Sequence, residues 1–203
     1  RGEIIIRITA KCMEINEAKT LIAAMEALVN TRLKQFIYGT DDETLASYLG
    51  KELLRTESTI AFAESCTGGL ASSFVPGSSE YLFGSAVTYS NMAKHKLINV
   101  SEESLEAYGA VSWQVACEMA QGVRELFGTT YGVGITGIAG PGGATEDKPV
   151  GLVYMAVADA DGVKWAKHVF GGTRTDNKMR SAITAISMVI DRIKEKETEN
   201  KDK

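Results

Sequence analysis

The chain has 203 residues, 44% of them hydrophobic, which is enough to build one sizeable core with a small appendage and excludes global disorder. Its formal net charge of -4 argues against nucleic acid as the main partner, because phosphate backbones are bound by basic faces. No apolar run reaches the roughly 18 residues that a bilayer requires, and the first residues lack a secretory pattern, so no membrane partner is expected.

Glu3 to Thr9 is rich in β-branched residues and predicts a strand. Asn16 to Leu33 carries Leu21, Met25, Leu28 and Val29 at helical spacing. Residues 39–41 form a linker in which Asp41 is placed to cap a helix from Asp42. Residues 1–40 are therefore an appendage. Arg1 at the start, directly before a strand-like run, gives the expectation that they are the remnant of a longer preceding domain.

Residues 41–195 read as one α/β domain. Leu45, Leu49, Leu53 and Leu54 predict a helix, and Thr59 to Ala63 a buried strand. A second helix is expected from Thr67 to Phe74, then a strand over Gly84 to Tyr89 and a helix over Asn91 to Ile98. Ser101 caps a further helix, and Gln114 to Phe127 is a longer amphipathic one. Tyr131 to Thr136 predicts a strand. Val150 to Ala158 and Val163 to Phe170 follow as a hairpin turning at Asp161-Gly162. The last helix spans about Thr175 to Lys194, and the charged residues 196–203 are expected to be disordered. Alternation followed by a hairpin implies a three-layer α/β/α sandwich with a mixed sheet.

Three segments carry chemistry. In Ala63-Glu64-Ser65-Cys66-Thr67-Gly68-Gly69 a buried strand ends and a helix begins. A serine there can cap the helix, hold a phosphate, or act as a nucleophile beside amides that stabilise an oxyanion. Cys66 is a second candidate nucleophile, since a thiol near a helix start loses its proton more readily. In Tyr89-Ser90-Asn91-Met92-Ala93-Lys94 another strand end delivers polar groups. A desolvated Lys94 can deprotonate a serine, whereas Lys96 is expected at the surface. The run Thr136-Gly137-Ile138-Ala139-Gly140-Pro141-Gly142-Gly143 follows a strand and can wrap a phosphate or a ring.

Gly132-Val133-Gly134-Ile135-Thr136-Gly137 matches a dinucleotide fingerprint in form only, because its glycines lie inside a strand and no helix follows directly. Lys148-Pro149-Val150-Gly151 leads into the next strand. Arg174 lies near a helix start and is either a phosphate partner or a surface residue. Cys12, Cys66 and Cys117 are scattered without metal-ligand spacing, so a reduced, cytoplasmic, metal-free protein is expected. Only His95 and His168 are available for a Ser-His-Asp arrangement, and His95 points about 100° away from Lys94 on a helix.

Together the motifs Ala63–Gly69, Val87–Lys94, Thr136–Gly143 and Lys148–Gly151 resemble the C-terminal domain of the CinA family, the nicotinamide-nucleotide amidases. The likeness spans about Asp41 to Ile193, and residues 2–38 resemble the end of that family's KH-like domain. The resemblance implies hydrolysis of the carboxamide of nicotinamide mononucleotide in NAD recycling, without cofactor or metal, by a homodimer. It implies roles for Ser65, Tyr89, Asn91, Lys94 and Thr136. Ser65, Lys94 and Tyr89 are then the catalytic candidates. Cys66, Thr67, Gly68, Asn91, Thr136, Gly137, Gly140, Gly142, Gly143 and Arg174 are the substrate-binding ones. The family often carries Gly-Asp-Arg where this chain has Gly172-Thr173-Arg174. A nucleotide-binding module without catalysis, or a different amidase or esterase, are the rival readings.

Overall fold

The computed structural model of the chain describes residues 4–75, 77 and 79–201. They fall into two compact units that part between Thr44 and Leu45.

The smaller unit holds α1 (Ile15–Leu33) and a short 3-10 turn, Lys34–Phe36. The strand expected at Glu3 to Thr9 is not formed: residues 4–12 have no regular structure, and Ile4, Ile5 and Ile6 are exposed. Glu3 itself lies outside the described residues. A strand needs a neighbour to take its N–H and C=O groups, and the described residues of this unit offer none. The cap proposed at Asp41 also fails. Asp41 sits in a left-handed turn at φ 56, and the next helix begins at Leu45.

The larger unit comprises α2 (Leu45–Arg55), β1 (Ile60–Glu64), α3 (Leu70–Phe74), β2 (Leu82–Val87), α4 (Asn91–Ile98), α5 (Glu102–Tyr108), α6 (Trp113–Phe127), β3 (Tyr131–Gly137), β4 (Leu152–Asp159), β5 (Gly162–Val169) and α7 (Arg174–Lys201). The sheet order is β2-β1-β3-β4-β5. β2, β1 and β3 are mutually parallel, whereas β4 and β5 run antiparallel to their neighbours. The expected three-layer α/β/α sandwich with a mixed sheet is thus the fold observed.

Alternating strand residues divide the core between the two faces. Phe62, Val133, Ile135, Met155 and Val157 face α2, α3 and α7, meeting Leu49, Leu53, Ala71, Ile186 and Val189. On the other face Ala61 and Ala63 meet Ile98, Val115, Met119 and Val123 of α4 and α6. Burying each large apolar side chain contributes roughly 1.5–3 kcal/mol. The glycines of the false dinucleotide fingerprint have a packing role. A Cβ on Gly132 would lie 2.1 Å from the Ala120 carbonyl oxygen, and one on Gly134 would lie 2.3 Å from that of Ala116. Their absent side chains let α6 lie directly on β3.

Several element ends differ from expectation. β2 spans Leu82–Val87 rather than Gly84 to Tyr89, which leaves Thr88 and Tyr89 in the following loop, and β4 starts at Leu152 rather than Val150. α3 starts at Leu70 rather than Thr67, because Gly68 and Gly69 adopt positive φ, outside the helical region. The hairpin turns at Ala160-Asp161, with Asp159 paired to Gly162. The segment after Lys194 is helical to Lys201 instead of disordered. Its charges are paired: Glu195 with Lys164, Lys196 with Asp159 and Asp161, and Glu197 with Arg55. Asp202 and Lys203, the last two residues of that tail, lie outside the described residues.

Candidate active site

β1, β2 and β3 all end on the same side of the sheet, and the chain after each strand carries the polar groups singled out above. Parallel strands place ligands beyond their carboxyl ends. Here Ser65 follows β1, Thr88 and Tyr89 follow β2, and Thr136 and Gly137 close β3. Between them lies a cavity of about 240 Å³.

The position of Lys94 follows from α4. Ser90 caps the helix by accepting a hydrogen bond from the Ala93 N–H. Lys94 and Ile98, four residues apart, then share the inward face and are both buried, while His95 and Lys96 are exposed. The Lys94 ammonium donates to Ser65 Oγ at 3.2 Å, to the Thr88 carbonyl at 2.8 Å and to the Tyr89 carbonyl at 3.4 Å. These three acceptors match its three protons. Burial dominates its surroundings and lowers its pKa to about 8. Having lost one proton, the amine keeps its two carbonyl partners and turns a lone pair to the Ser65 hydroxyl.

Cys66 is beside this pair in the cavity wall. Burial pushes its thiol up to about 12, so it remains protonated and is a poor nucleophile. Neither histidine serves Ser65. His95 Nδ1 is 3.0 Å from the Val100 carbonyl, and His168 stacks on Phe170 with ring centroids 5.2 Å apart.

Tyr89 does not reach Ser65 with its hydroxyl. Its ring is exposed, and the hydroxyl accepts a hydrogen bond from Arg174 Nη2 at 3.0 Å. Arg174 Nη1 donates to the Gly140 carbonyl at 2.7 Å. The guanidinium thus ties the β2–α4 loop to the glycine loop at the cavity through neutral partners. Thr136 lines the cavity and donates its hydroxyl proton to the Ala110 carbonyl at 2.7 Å. Gly137, Gly140, Gly142 and Gly143 complete the glycine-loop wall.

The cavity walls do not include three of the expected residues. Thr67 is fully buried with its hydroxyl unpartnered, and Asn91 is exposed on the first turn of α4. Gly68 is exposed, and its N–H donates to the Ser65 carbonyl at 3.1 Å, so it does not serve an oxyanion. The Cys66 and Thr67 amides donate to no backbone carbonyl outside regular elements among the described residues. Lys148 donates to the Tyr108 carbonyl at 2.8 Å.

The N-terminal ends of α3 and α7 already hold carboxylates. The buried Glu64 accepts from the amides of Gly69, Ala71 and Ser72 at 2.8–3.0 Å and from the Ser72 hydroxyl. Asp176 accepts from the Thr173 amide and hydroxyl at the start of α7. Positive potential in the cavity therefore comes from Lys94 and Arg174. Glu64 was not among the expected site residues; outside the cavity wall, its carboxylate fixes the turn that follows Ser65. Ala110 and Val111, which do wall the cavity, are apolar loop residues with no signal in the sequence.

Among the described residues no group of His, Cys, Asp and Glu could hold a metal ion, and no helix is long and apolar enough to cross a membrane.

The pattern of the family described as the CinA C-terminal domain matches residues 42–193. A CinA-like protein of Syntrophomonas wolfei is 44% identical over 191 residues, covering 93% of this chain and 46% of that protein. A CinA-like protein of Gloeothece citriformis is 43% identical over 178 residues, covering 86% and 43%. The chain thus spans about half the length of the curated relatives it matches. A competence/damage inducible protein of Agrobacterium tumefaciens has a crystal structure that matches at a TM-score of 0.68 and 34% identity, over 75% of this chain and 98% of that one. A CinA superfamily protein of Escherichia coli matches at 0.70 and 30% identity, over 79% and 97%.

Proposed function

The chain belongs to the CinA C-terminal domain family, and we propose that it hydrolyses the carboxamide of nicotinamide mononucleotide to nicotinic acid mononucleotide and ammonia. The observation that carries this reading is the Ser65–Lys94 pair, 3.2 Å apart, with a lysine pKa of about 8. Such a lysine is partly neutral near physiological pH and can act as a base without histidine or metal.

Neutral Lys94 takes the Ser65 proton as Oγ attacks the carboxamide carbon. The Cys66 amide, next to Ser65 in the cavity wall, is the donor to the oxyanion; in other acyl-transfer enzymes such a donor contributes about 3 kcal/mol. Lys94 then gives its proton to the departing nitrogen, and ammonia leaves an ester on Ser65. Water, deprotonated by Lys94, cleaves that ester. Arg174 is free to exchange its two neutral partners for the substrate phosphate, a charge-assisted contact worth roughly 1.5–3 kcal/mol. Tyr89 acts by holding Arg174 over the cavity. We read the unit before Leu45 as the end of a KH-like domain, and the active form as a cytoplasmic homodimer without cofactor.

Ammonia release from nicotinamide mononucleotide, nicotinamide riboside and nicotinamide tests the reading. Release from the mononucleotide well above that from the other two supports it. Equal release from all three indicates a general amidase, and none at all leaves a nucleotide-binding module.

A further inference from the structure

The charge of the cavity is one-sided. Lys94 and Arg174 stand in its walls, and no carboxylate does among the described residues. The acids beside it are engaged elsewhere: Glu64 on the amides of α3, and Asp176 on Thr173. Around Lys94, the loop after β1 presents the Ser65 hydroxyl and the Cys66 thiol, and the loop after β2 presents the carbonyls of Thr88 and Tyr89. From α7, Arg174 faces the Tyr89 hydroxyl and the Gly140 carbonyl. α6 presents the apolar Val115 and Met119 to this face of the sheet, and on α4 itself His95 points outward, 3.8 Å from Glu102. Among the described residues no anion compensates the Lys94 ammonium.

The substrate carboxamide is neutral, but the product is an acid. Resting on the reaction proposed above, we propose that the cavity retains the carboxylate product against the Lys94 ammonium, so that the protein is inhibited by its own acid product. The balance of the last step leads there. Water adds its hydroxyl to the ester carbon, and the Ser65–carbonyl bond breaks. Ser65 recovers its proton through Lys94, and the carboxylic acid is left beside a neutral amine. A carboxylic acid is much the stronger acid of the two, so its proton passes to Lys94. The result is a carboxylate–ammonium pair in a buried site, where a charge-assisted hydrogen bond is strong. The form of Lys94 that starts catalysis is the neutral one; the form that holds product is the charged one.

Calorimetric titration tests this without needing turnover. Nicotinic acid mononucleotide is compared at pH 7.5 and 9.5 with the analogue that carries a hydrogen in place of the carboxyl group. The phosphate of both is dianionic throughout this range. With Lys94 titrating at about 8, Kd for the acid is expected to rise roughly twentyfold between the two pH values, while Kd for the analogue stays constant. In Lys94→Met the rise for the acid should disappear. An acid that does not bind, one whose Kd tracks that of the analogue, or a rise that persists in Lys94→Met would overturn the proposal. Absence of ammonia release from the amide, with the acid still bound in this pH-dependent way, would instead remove the hydrolysis reading and leave the carboxylate site standing.

Discussion

Replacing Lys94 by methionine should abolish ammonia release and, at neutral pH, stabilise the fold. The lysine pKa falls from the ordinary 10.5 to about 8 through burial. That difference corresponds to about 3 kcal/mol of destabilisation of the native state when Lys94 is charged in both native and unfolded chains. The sign follows from proton counts. Below pH 8 both states are protonated and the full penalty is present. Between about pH 8 and 10.5 the unfolded chain binds more protons than the native one, so wild-type stability climbs with pH. Methionine fills a similar volume without charge but leaves the Thr88 carbonyl and the Ser65 hydroxyl, the two shorter of the three contacts, without the lysine nitrogen, at about 1 kcal/mol each. The variant should therefore be about 1 kcal/mol more stable at pH 7 and about 2 kcal/mol less stable at pH 10.5. Urea unfolding of both proteins from pH 7 to 10.5 measures the gap, and groups that titrate alike in both cancel. A gap that stays constant across this range would refute a desolvated Lys94.

Arg174→Ala should lower kcat/KM for the mononucleotide about ten- to a hundredfold, with little effect on the riboside, because the arginine reads the phosphate; equal losses on both in steady-state assays would assign it to holding the loops instead. Gly134→Ala places a Cβ 2.3 Å from the Ala116 carbonyl oxygen, so α6 must shift and stability should fall by roughly 1–3 kcal/mol, seen as a lower urea midpoint. Removal of the residues before Asp42 should leave ammonia release intact, since the family match begins there; lost activity in a folded truncated protein would contradict this.

Much of the architecture was legible because its signals are local. The helix expected over Asn91 to Ile98 is α4 with the same bounds, and the desolvated Lys94 expected on it is buried. Buried apolar runs gave β1 and β3. What sequence reasoning missed depends on partners distant in the chain. The isoleucines at the N-terminal end have strand propensity but no neighbour to pair with among the described residues. The charged segment after Lys194 is helical, with its ionic partners at Arg55, Asp159, Asp161 and Lys164. At the site, Ser65 and Lys94 were legible as residue types at strand ends, but their 3.2 Å approach needs the whole sheet. The role of Glu64 was hidden because the amides that donate to it lie five to eight residues away, from the second of two positive-φ glycines onward. For the same reason the helix start was assigned to substrate when the protein's own carboxylate fills it.

Whether Ser65 is the nucleophile of a carboxamide hydrolase is decided by steady-state ammonia release from nicotinamide mononucleotide in wild type and Ser65→Ala. Wild type should release ammonia steadily and the variant only at the uncatalysed background, with its urea midpoint little changed because Ser65 is not the cap of α3. Turnover by Ser65→Ala close to that of wild type would contradict that role.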